Sequence, residues 1–521
     1  MRILLASPGT GKTTKIKSII DSEYSQASNI LVLSFTNATI NDLTISFRDY
    51  KNVRCHTLHQ YALIINHLPK NHILNDPEIK NLNRFAGKVS IDFHTLCQQL
   101  QCMTFDMMIE SSIEFIKDNP AYADEKIGKI DLLVIDEFQD FNELERNLVF
   151  LISEYSEQTI ILGDDDQSIY DFKNADPEAL IALYNDESSE KIEHEHICYR
   201  CPDNVVNSCS SLISKNEIRV LKEWNRSNKQ GELTVLQANG QSKVCQFILE
   251  TISEIRRNGN EETFIILSHV RIASNAIIAS LLESGIEIVN FWKPKVNKYQ
   301  MYLIWWLRAI YSRHRLLNLI FILCEHRQLT PKLIFEFKEY FKDTSKLQGL
   351  IDLILSYKCM ATYQVLIKTP PSFEELVAGY PEFKIFEEYI DTDNIKESTS
   401  DIMRRINEPT QFEKAKINIM SIHKSKGLQA DNVFILGLTE GLLPNRSQGT
   451  DTIEAQRRLL YVGMTRAQKR LWLISNVYWK TSDILGSMAD KTHFKFHGRE
   501  NMYGKISSFI NEMKLPVGKI N

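Results

Sequence analysis

No stretch of this 521-residue chain reaches the roughly 18 uninterrupted apolar residues that a membrane-crossing helix needs, which excludes a helical membrane span. The richest run, Met301-Tyr-Leu-Ile-Trp-Trp-Leu307, has the length of a core helix. Surplus positive charge is also lacking. Sixty-one Lys and Arg against 66 Asp and Glu leave a formal net charge of −5, so a uniformly basic, nucleic-acid-coating protein is excluded and any such contact must be a local groove. The nine cysteines show no regular pairing, which fits a reducing cytoplasm. Cys198-Tyr-Arg-Cys201 has CxxC spacing, but no second pair stands at zinc-site distance. There is no internal repeat, low-complexity tract or long charged tail. Met1-Arg-Ile-Leu-Leu5 imitates the start of a signal peptide, yet its removal would delete the strand discussed next, and the protein is read as cytoplasmic. With 43% apolar and 24% charged residues, the chain can build several domains with real cores.

What is present is chemistry for a triphosphate. After the apolar run Ile3-Leu4-Leu5 comes Ala6-Ser-Pro-Gly-Thr-Gly-Lys-Thr13, which fits a phosphate-binding loop. Such a loop aims backbone N–H groups at phosphates, with Gly9 and Gly11 permitting close approach and the following helix offering its positive end. Ala6, Ser7, Pro8, Gly9, Thr10, Gly11, Lys12, Thr13 and Thr14 are the expected nucleotide-binding residues. Lys12 is expected at the β- and γ-phosphates and Thr13 on Mg²⁺. A second apolar strand, Asp131-Leu-Leu-Val-Ile135, ends in Asp136-Glu137-Phe138-Gln139-Asp140, placing two carboxylates at the edge of a buried parallel strand. Asp136 suits the Mg²⁺ and Glu137 the orientation and deprotonation of an attacking water.

With these residues the chain resembles the UvrD/Rep-like superfamily 1 helicases, motors that move along single-stranded DNA. The likeness rests on an ordered series of segments over nearly the whole chain. Leu33-Ser-Phe-Thr-Asn37 resembles motif Ia and Thr57-Leu-His59 motif Ib. Leu162-Gly-Asp-Asp-Asp-Gln-Ser-Ile-Tyr-Asp-Phe172 resembles motif III and Tyr199-Arg200 motif IV. Ser421-Ile-His-Lys-Ser-Lys-Gly-Leu428 is similar to motif V, and Arg457-Arg-Leu-Leu-Tyr-Val-Gly-Met-Thr-Arg-Ala467 to motif VI.

The resemblance implies further roles. Gln167 senses the γ-phosphate, Arg200 and Arg466 reach in from the opposite lobe as arginine fingers, and Tyr199 stacks on the base. Phe35, Thr36, Asn37, Thr57, His59, Tyr170, Phe172 and His423 are the expected nucleic-acid contacts, aromatic faces stacking on bases while hydroxyl, amide and imidazole groups hold phosphates. Three departures stand out. Five residues precede Ala6, where the family carries an adenine-reading segment, so tolerance of other nucleoside triphosphates is expected. Motif V reads Gly427-Leu-Gln-Ala430, putting the amide of Gln429 where a ribose-contacting carboxylate is usual. Motif III ends Phe172-Lys173-Asn174, so lysine replaces a planar arginine fork.

The organisation expected is α/β, with two RecA-like P-loop parallel-sheet domains, each carrying an inserted mainly helical subdomain. Ile30-Leu-Val-Leu33, Leu132-Leu-Val-Ile135 and Thr159-Ile-Ile-Leu162 read as strands of the first sheet. Leu233–Leu236, Phe264–Leu267, Ile417–Met420, Val433–Leu436 and Leu471–Ile474 read as strands of the second. Both lobes are expected to bind at the carboxyl ends of their strands, around one cleft. Domain 1A covers 1–200 with 1B inserted at about 68–129, and domain 2A covers 201–490 with 2B inserted at about 290–409. Lys358–Pro371 and Asp391–Ser400 read as loops, and 491–521 as a helical tail.

Three functions fit. The first is an ATP-dependent single-stranded DNA translocase or helicase with 3′ to 5′ polarity, using Lys12, Asp136, Glu137, Gln167, Arg200 and Arg466 with ATP and Mg²⁺. The second is a nucleotide- and DNA-sensing ATPase subunit regulating a partner nuclease in antiviral defence. It rests on a compactness resembling the UvrD-like subunit of Gabija-type systems and on the few residues after motif VI. The third is an RNA helicase, since stacking and phosphate contacts do not read the sugar.

Overall fold

A computed structural model describes residues 1–66, 72–257, 261–292, 298–389, 411–447 and 452–520. The expected loop Asp391–Ser400 lies outside the described residues.

Two parallel sheets carry the architecture, and each run read above as a strand lies in one of them. The first sheet has the spatial order Val53–Thr57, Ile30–Ser34, Ile130–Ile135, Ser156–Gly163, Arg2–Leu5, Glu190–Lys191, every pairing parallel. Its central strands are buried on both faces, which is why they read as continuous Ile, Leu and Val rather than as an alternation. The arrangement brings the ends of Arg2–Leu5, Ser156–Gly163 and Ile130–Ile135 side by side, so the phosphate loop, motif III and the Asp136-Glu137 pair start from neighbouring strands.

The second sheet runs Ile288–Asn290, Ile417–Ser421, Phe264–Ser268, Ala430–Leu436, Ala467–Asn476, Glu232–Ala238, Val517–Ile520, again all parallel. The expectation that this lobe meets the cleft with the carboxyl ends of its strands is corrected here. Gln429 immediately precedes the strand Ala430–Leu436, and Arg466 immediately precedes Ala467–Asn476, so the amino edge supplies these two groups. The asymmetry is physical: the first lobe offers backbone N–H groups at a helix start, whereas the second offers side chains long enough to reach across.

The tail expected to be helical carries, among its described residues, a turn of 3-10 helix at Lys491–His493 and one short α-helix, Ser508–Glu512. Val517–Ile520 joins the second sheet, and Phe494–His497 with Asn501–Gly504 forms an antiparallel sheet with Tyr478–Lys480. Its apolar residues alternate as well as repeating at helical spacing, and Phe509, Ile510 and Met513 are buried in the core of the second lobe.

The inserts form a separate unit made of Asn66–Ser112 and Pro294–Thr410, so 113–129 goes with the sheets rather than with the first insert. Phe85, Trp305, Trp306, Phe321 and Phe337 share its core, and the Met301–Leu307 run lies in the helix Lys298–Tyr311. At the start of the helix Asp76–Val89, Glu78 completes a capping box with Asn75 and is fully buried. It accepts hydrogen bonds from Arg308 Nη1 at 2.8 Å and Trp305 Nε1 at 3.2 Å, with His72 Nε2 at 2.9 Å. Burial alone would raise its pKa, but His72, Arg308 and the Asn75 amide outweigh it and hold the carboxyl at about 2. A lone partner would leave a buried charge uncompensated, so both inserts are needed to build this core. Lys358–Pro371, read as a loop, contains a turn of 3-10 helix at Lys358–Met360 and a helix at Gln364–Lys368, with Met360, Leu366 and Ile367 supplying buried anchors.

Candidate nucleotide and nucleic-acid site

The phosphate loop is held by its own polar groups. Thr10 Oγ1 donates to Ser7 O at 2.8 Å, and Lys12 Nζ folds back to donate to Ala6 O at 3.1 Å. Gly9 and Gly11 have φ of 71° and 84°, the left-handed region open to glycine. At Gly9 a second constraint applies, because a Cβ there would stand 2.5 Å from Arg200 Cβ. The helix Lys12–Glu23 has no acid in its first turn to compete with an anion.

A cavity of about 450 Å³ opens over this loop. Ser7 to Thr14 line it with Asp136, Glu137 and Gln167 from the first lobe, and Tyr199, Arg200, Gln429 and Arg466 complete it. Of the expected nucleotide-binding residues only Ala6 does not line it. That residue is fully buried beneath the loop, and its carbonyl serves Lys12. Tyr199 is 58% exposed at the mouth, its N–H donating to Gly9 O at 2.9 Å and its hydroxyl to Glu195 Oε2 at 3.5 Å.

Glu137 sits at φ 55°, an uncommon conformation for a residue with a side chain and one that clusters at functional positions. Its N–H donates to Asp136 Oδ1 at 3.0 Å. Burial is the largest influence on both acids, but they diverge. Asp136, further opposed by the charge of Glu137, is pushed well above the usual carboxylate range, whereas Lys426 and Lys12 outweigh burial at Glu137 and hold it below that range. A divalent cation beside Asp136 and the Thr13 hydroxyl suits this pair, as both are hard oxygen donors lining one cavity.

Arg466 is buried and held by four hydrogen bonds. Its guanidinium donates to Val462 O at 2.8 Å, Leu428 O at 3.2 Å, Thr465 Oγ1 at 2.9 Å and Gln167 Oε1 at 3.3 Å. Gln167 Nε2 in turn donates to Asp164 Oδ2 at 2.8 Å. Burial, and then the like charge of Arg200, lower the pKa of this guanidinium. A triphosphate in the cavity would relieve both effects.

Sequence reasoning missed Lys426. Its ammonium lies 2.6 Å from Asp140 Oδ2 and 3.6 Å from Glu137 Oε2, donates to Gln167 O at 2.7 Å, and stands 5.6 Å from the Tyr170 ring centroid. One buried cation thus lies against both Glu137 of the nucleotide cavity and Tyr170 of the strip described below. Its position inside motif V was the available signal. Lys222 and Arg219 were missed too. Asp164, Asp165 and Asp166 form the one carboxylate cluster of metal-binding geometry among the described residues, but Lys222 Nζ lies 3.0, 2.5 and 2.7 Å from them. Arg219 adds a two-pronged pair on Asp166 at 2.9 and 2.7 Å, so two side-chain cations already occupy the cluster. Thr39, Asp42 and Gln468 also line the cavity without having been expected there.

The expected nucleic-acid contacts divide into two groups. Phe35, Tyr170, Phe172 and His423 form a continuous strip, with centroid separations of 5.3 Å for Phe35 to Tyr170, 5.9 Å for Tyr170 to Phe172 and 5.6 Å for Phe172 to His423. Phe172 is 57% exposed. Lys173, where an arginine is usual, places its ammonium 5.3 Å from the Phe35 centroid and 5.7 Å from that of Tyr170, a cation–π role that lysine can fill. Burial, and then the neighbouring His269, push His423 down to about 4, so its imidazole is neutral at pH 7. The polar residues are engaged locally. Thr36 caps the helix Asn37–Ser46, Asn37 Oδ1 accepts from Gln60 Nε2 at 3.4 Å, and Thr57 Oγ1 accepts from Gln60 N at 3.2 Å. His59 Nε2 lies 3.6 Å from Glu145 Oε1.

The family model of the UvrD/REP helicase N-terminal domain matches residues 45–188, and that of the UvrD-like helicase C-terminal domain matches 373–478. Among similar curated proteins is the ATP-dependent DNA helicase Rep of Buchnera aphidicola subsp. Schizaphis graminum, 26% identical over 71% of this chain and 65% of the relative. The chain therefore spans slightly less than two thirds of that protein. The ATP-dependent DNA helicase Rep of Buchnera aphidicola subsp. Acyrthosiphon pisum is 23% identical over 90% of this chain and 92% of its own length. A probable DNA helicase II homolog of Mycoplasma capricolum subsp. capricolum is 23% identical over 98% and 87%. Two family matches in the proper order, relatives aligned along most of the chain, and a cavity built from both sheets lead to one assignment: the chain belongs to the UvrD/Rep-like superfamily 1 helicases.

Proposed function

We propose that this protein hydrolyses ATP to move along single-stranded DNA in the 3′ to 5′ direction. The observation that carries the reading is the cavity in which Lys12, Glu137 and Arg200 meet Gln429 and Arg466 from the second lobe. Relatives described as ATP-dependent DNA helicases support ATP and DNA as the ligands. In this reading the loop amides and Lys12 bind the β- and γ-phosphates, and Thr13 and Asp136 hold Mg²⁺, which when bound neutralises phosphate charge. Glu137 orients the attacking water and takes its proton. Gln167, bonded to Arg466, senses the γ-phosphate, while Arg466 and Arg200 stabilise the charge that develops as the phosphoryl group leaves. Tyr199 stacks on the base and Gln429 meets the ribose.

Coupling follows from Lys426. Loss of the γ-phosphate alters the charge beside Glu137, and the same ammonium rests on Asp140 and under Tyr170. Nucleotide state and strand grip therefore bias one set of contacts, which is what energetic coupling requires. Phe172→Ala should weaken binding of a dT oligonucleotide by about 1–3 kcal/mol, read by fluorescence anisotropy, since it removes an exposed stacking face. Unchanged affinity would remove Phe172 from the DNA path.

The polarity is tested by strand displacement from duplexes with a single-stranded tail. ATP-dependent displacement from a 3′ tail and none from a 5′ tail is expected, and the reverse preference contradicts the reading. Equal displacement from an RNA tail would favour an RNA helicase.

A further inference from the structure

Cys198 and Cys201 bracket the Tyr199-Arg200 pair at the cavity. Both thiols are buried, and Cys201 N donates to Cys198 Sγ at 3.4 Å across the turn. The turn is packed against the phosphate loop, since a Cβ on Gly9 would stand 3.2 Å from Cys198 Sγ and 2.5 Å from Arg200 Cβ. Tyr199 N donates to Gly9 O at 2.9 Å, and Lys229 Nζ pins Arg200 O at 2.6 Å. On its other side, the Cys201 thiol donates to Thr465 O at 3.5 Å, the carbonyl immediately before Arg466. The two sulfurs thus touch the phosphate loop and the backbone of both proposed fingers.

We propose that Cys198 and Cys201 form a reversible disulfide that switches nucleotide turnover off, with a hydroperoxide as the oxidant. The proposal rests on reading Arg200 and Arg466 as arginine fingers. The Cys198 thiolate attacks one peroxide oxygen and breaks the O–O bond, becoming a sulfenic acid and releasing hydroxide. The Cys201 sulfur then attacks the Cys198 sulfur and expels the second oxygen, and the thiol proton leaves with it as water. Two thiols lose two electrons and hydrogen peroxide becomes two waters. The chemistry has a suitable nucleophile: the Cys201 thiol, when its S–H turns from Thr465 O to Cys198, outweighs burial together with the backbone N–H groups of Cys201 and Arg200, and draws Cys198 below the usual thiol range. Peroxide is small enough to enter the cavity, and Cys198 lies directly behind its lining residue Gly9, where an added Cβ would stand 3.2 Å from Sγ. Closing the disulfide removes the S–H donor from Thr465 O and re-forms the turn that carries Arg200. Gly9 has no clearance to absorb such a shift.

The test compares the full-length wild type with Cys201→Ser, which keeps a donor to Thr465 O, before and after hydrogen peroxide and again after dithiothreitol. Trypsin cuts after Arg200, so a non-reducing digest leaves the Cys198 and Cys201 peptides joined only if the disulfide has formed. Peroxide should join these peptides in the wild type and lower ATP turnover by roughly tenfold or more, with recovery on reduction, while Cys201→Ser changes by less than about twofold. Cys97→Ser, which removes the other thiol pair in contact, Cys97 with Cys102, should remain as sensitive as the wild type. Affinity for a fluorescent ATP analogue is followed in parallel. Should the reduced protein hydrolyse nothing, the proposed function fails, but joined peptides with an oxidation-dependent loss of analogue affinity would still support the switch. Absence of the joined peptides, joined peptides with unchanged turnover and affinity, or protection by Cys97→Ser would each overturn it.

Discussion

Glu137→Gln is expected to lower ATP turnover by about 10²–10⁴-fold, the range a positioned general base contributes, with nucleotide affinity kept within a few-fold. The amide preserves the size and the φ of 55° that aims this side chain into the cavity. It cannot accept a proton from water, and it loses its attraction to Lys426, which lies 3.6 Å from Glu137 Oε2 in the native protein. Affinity survives because the phosphate contacts belong to the loop amides and Lys12. Steady-state phosphate release and equilibrium binding of a fluorescent nucleotide separate the two effects. Retention of normal turnover would remove Glu137 from the chemistry.

The second large effect is expected at Arg466→Ala, which should cost about 10³–10⁵-fold in turnover, the scale of an arginine finger. This guanidinium is fixed by Val462 O, Leu428 O, Thr465 Oγ1 and Gln167 Oε1, so it reaches the transition state already oriented. Removing it also leaves those acceptors without their buried donor, and some loss of stability follows. Arg466→Lys distinguishes the two consequences. It keeps the charge but not the planar fork, so turnover should stay low while thermal stability partly recovers. If Arg466→Lys restored turnover in full, charge alone would be sufficient and the oriented-finger account would be wrong.

The parts of the site that were legible in the sequence are those written locally. The phosphate loop is a strand, a glycine-bearing turn and a helix start within a dozen residues, and Asp136-Glu137 follow a strand whose unbroken apolar run announces its burial. What escaped depends on contacts between distant segments. Lys426 reads as one of several cations in motif V, and only folding sets it against Asp140, 286 positions earlier. Lys222 and the three aspartates at 164–166 meet in the same way. Glu78 shows the opposite trap: its place in a capping box suggests a solvated helix start, yet Arg308 and Trp305 come from the other insert to bury it. The edge of the second sheet was misjudged because strand patterns reveal burial but not which end of a sheet faces a cleft. Alternating apolar positions in the tail were read at helical spacing alone, and the strands there went unrecognised.

The most direct test of the claim that one cleft couples nucleotide chemistry to a gripped strand is ATP turnover at saturating nucleotide, measured with and without a dT oligonucleotide. The contacts running from Glu137 through Lys426 to Tyr170 predict a rise of at least about tenfold when DNA is added, equivalent to more than about 1.4 kcal/mol of coupling. The same turnover in the presence and absence of DNA would contradict it.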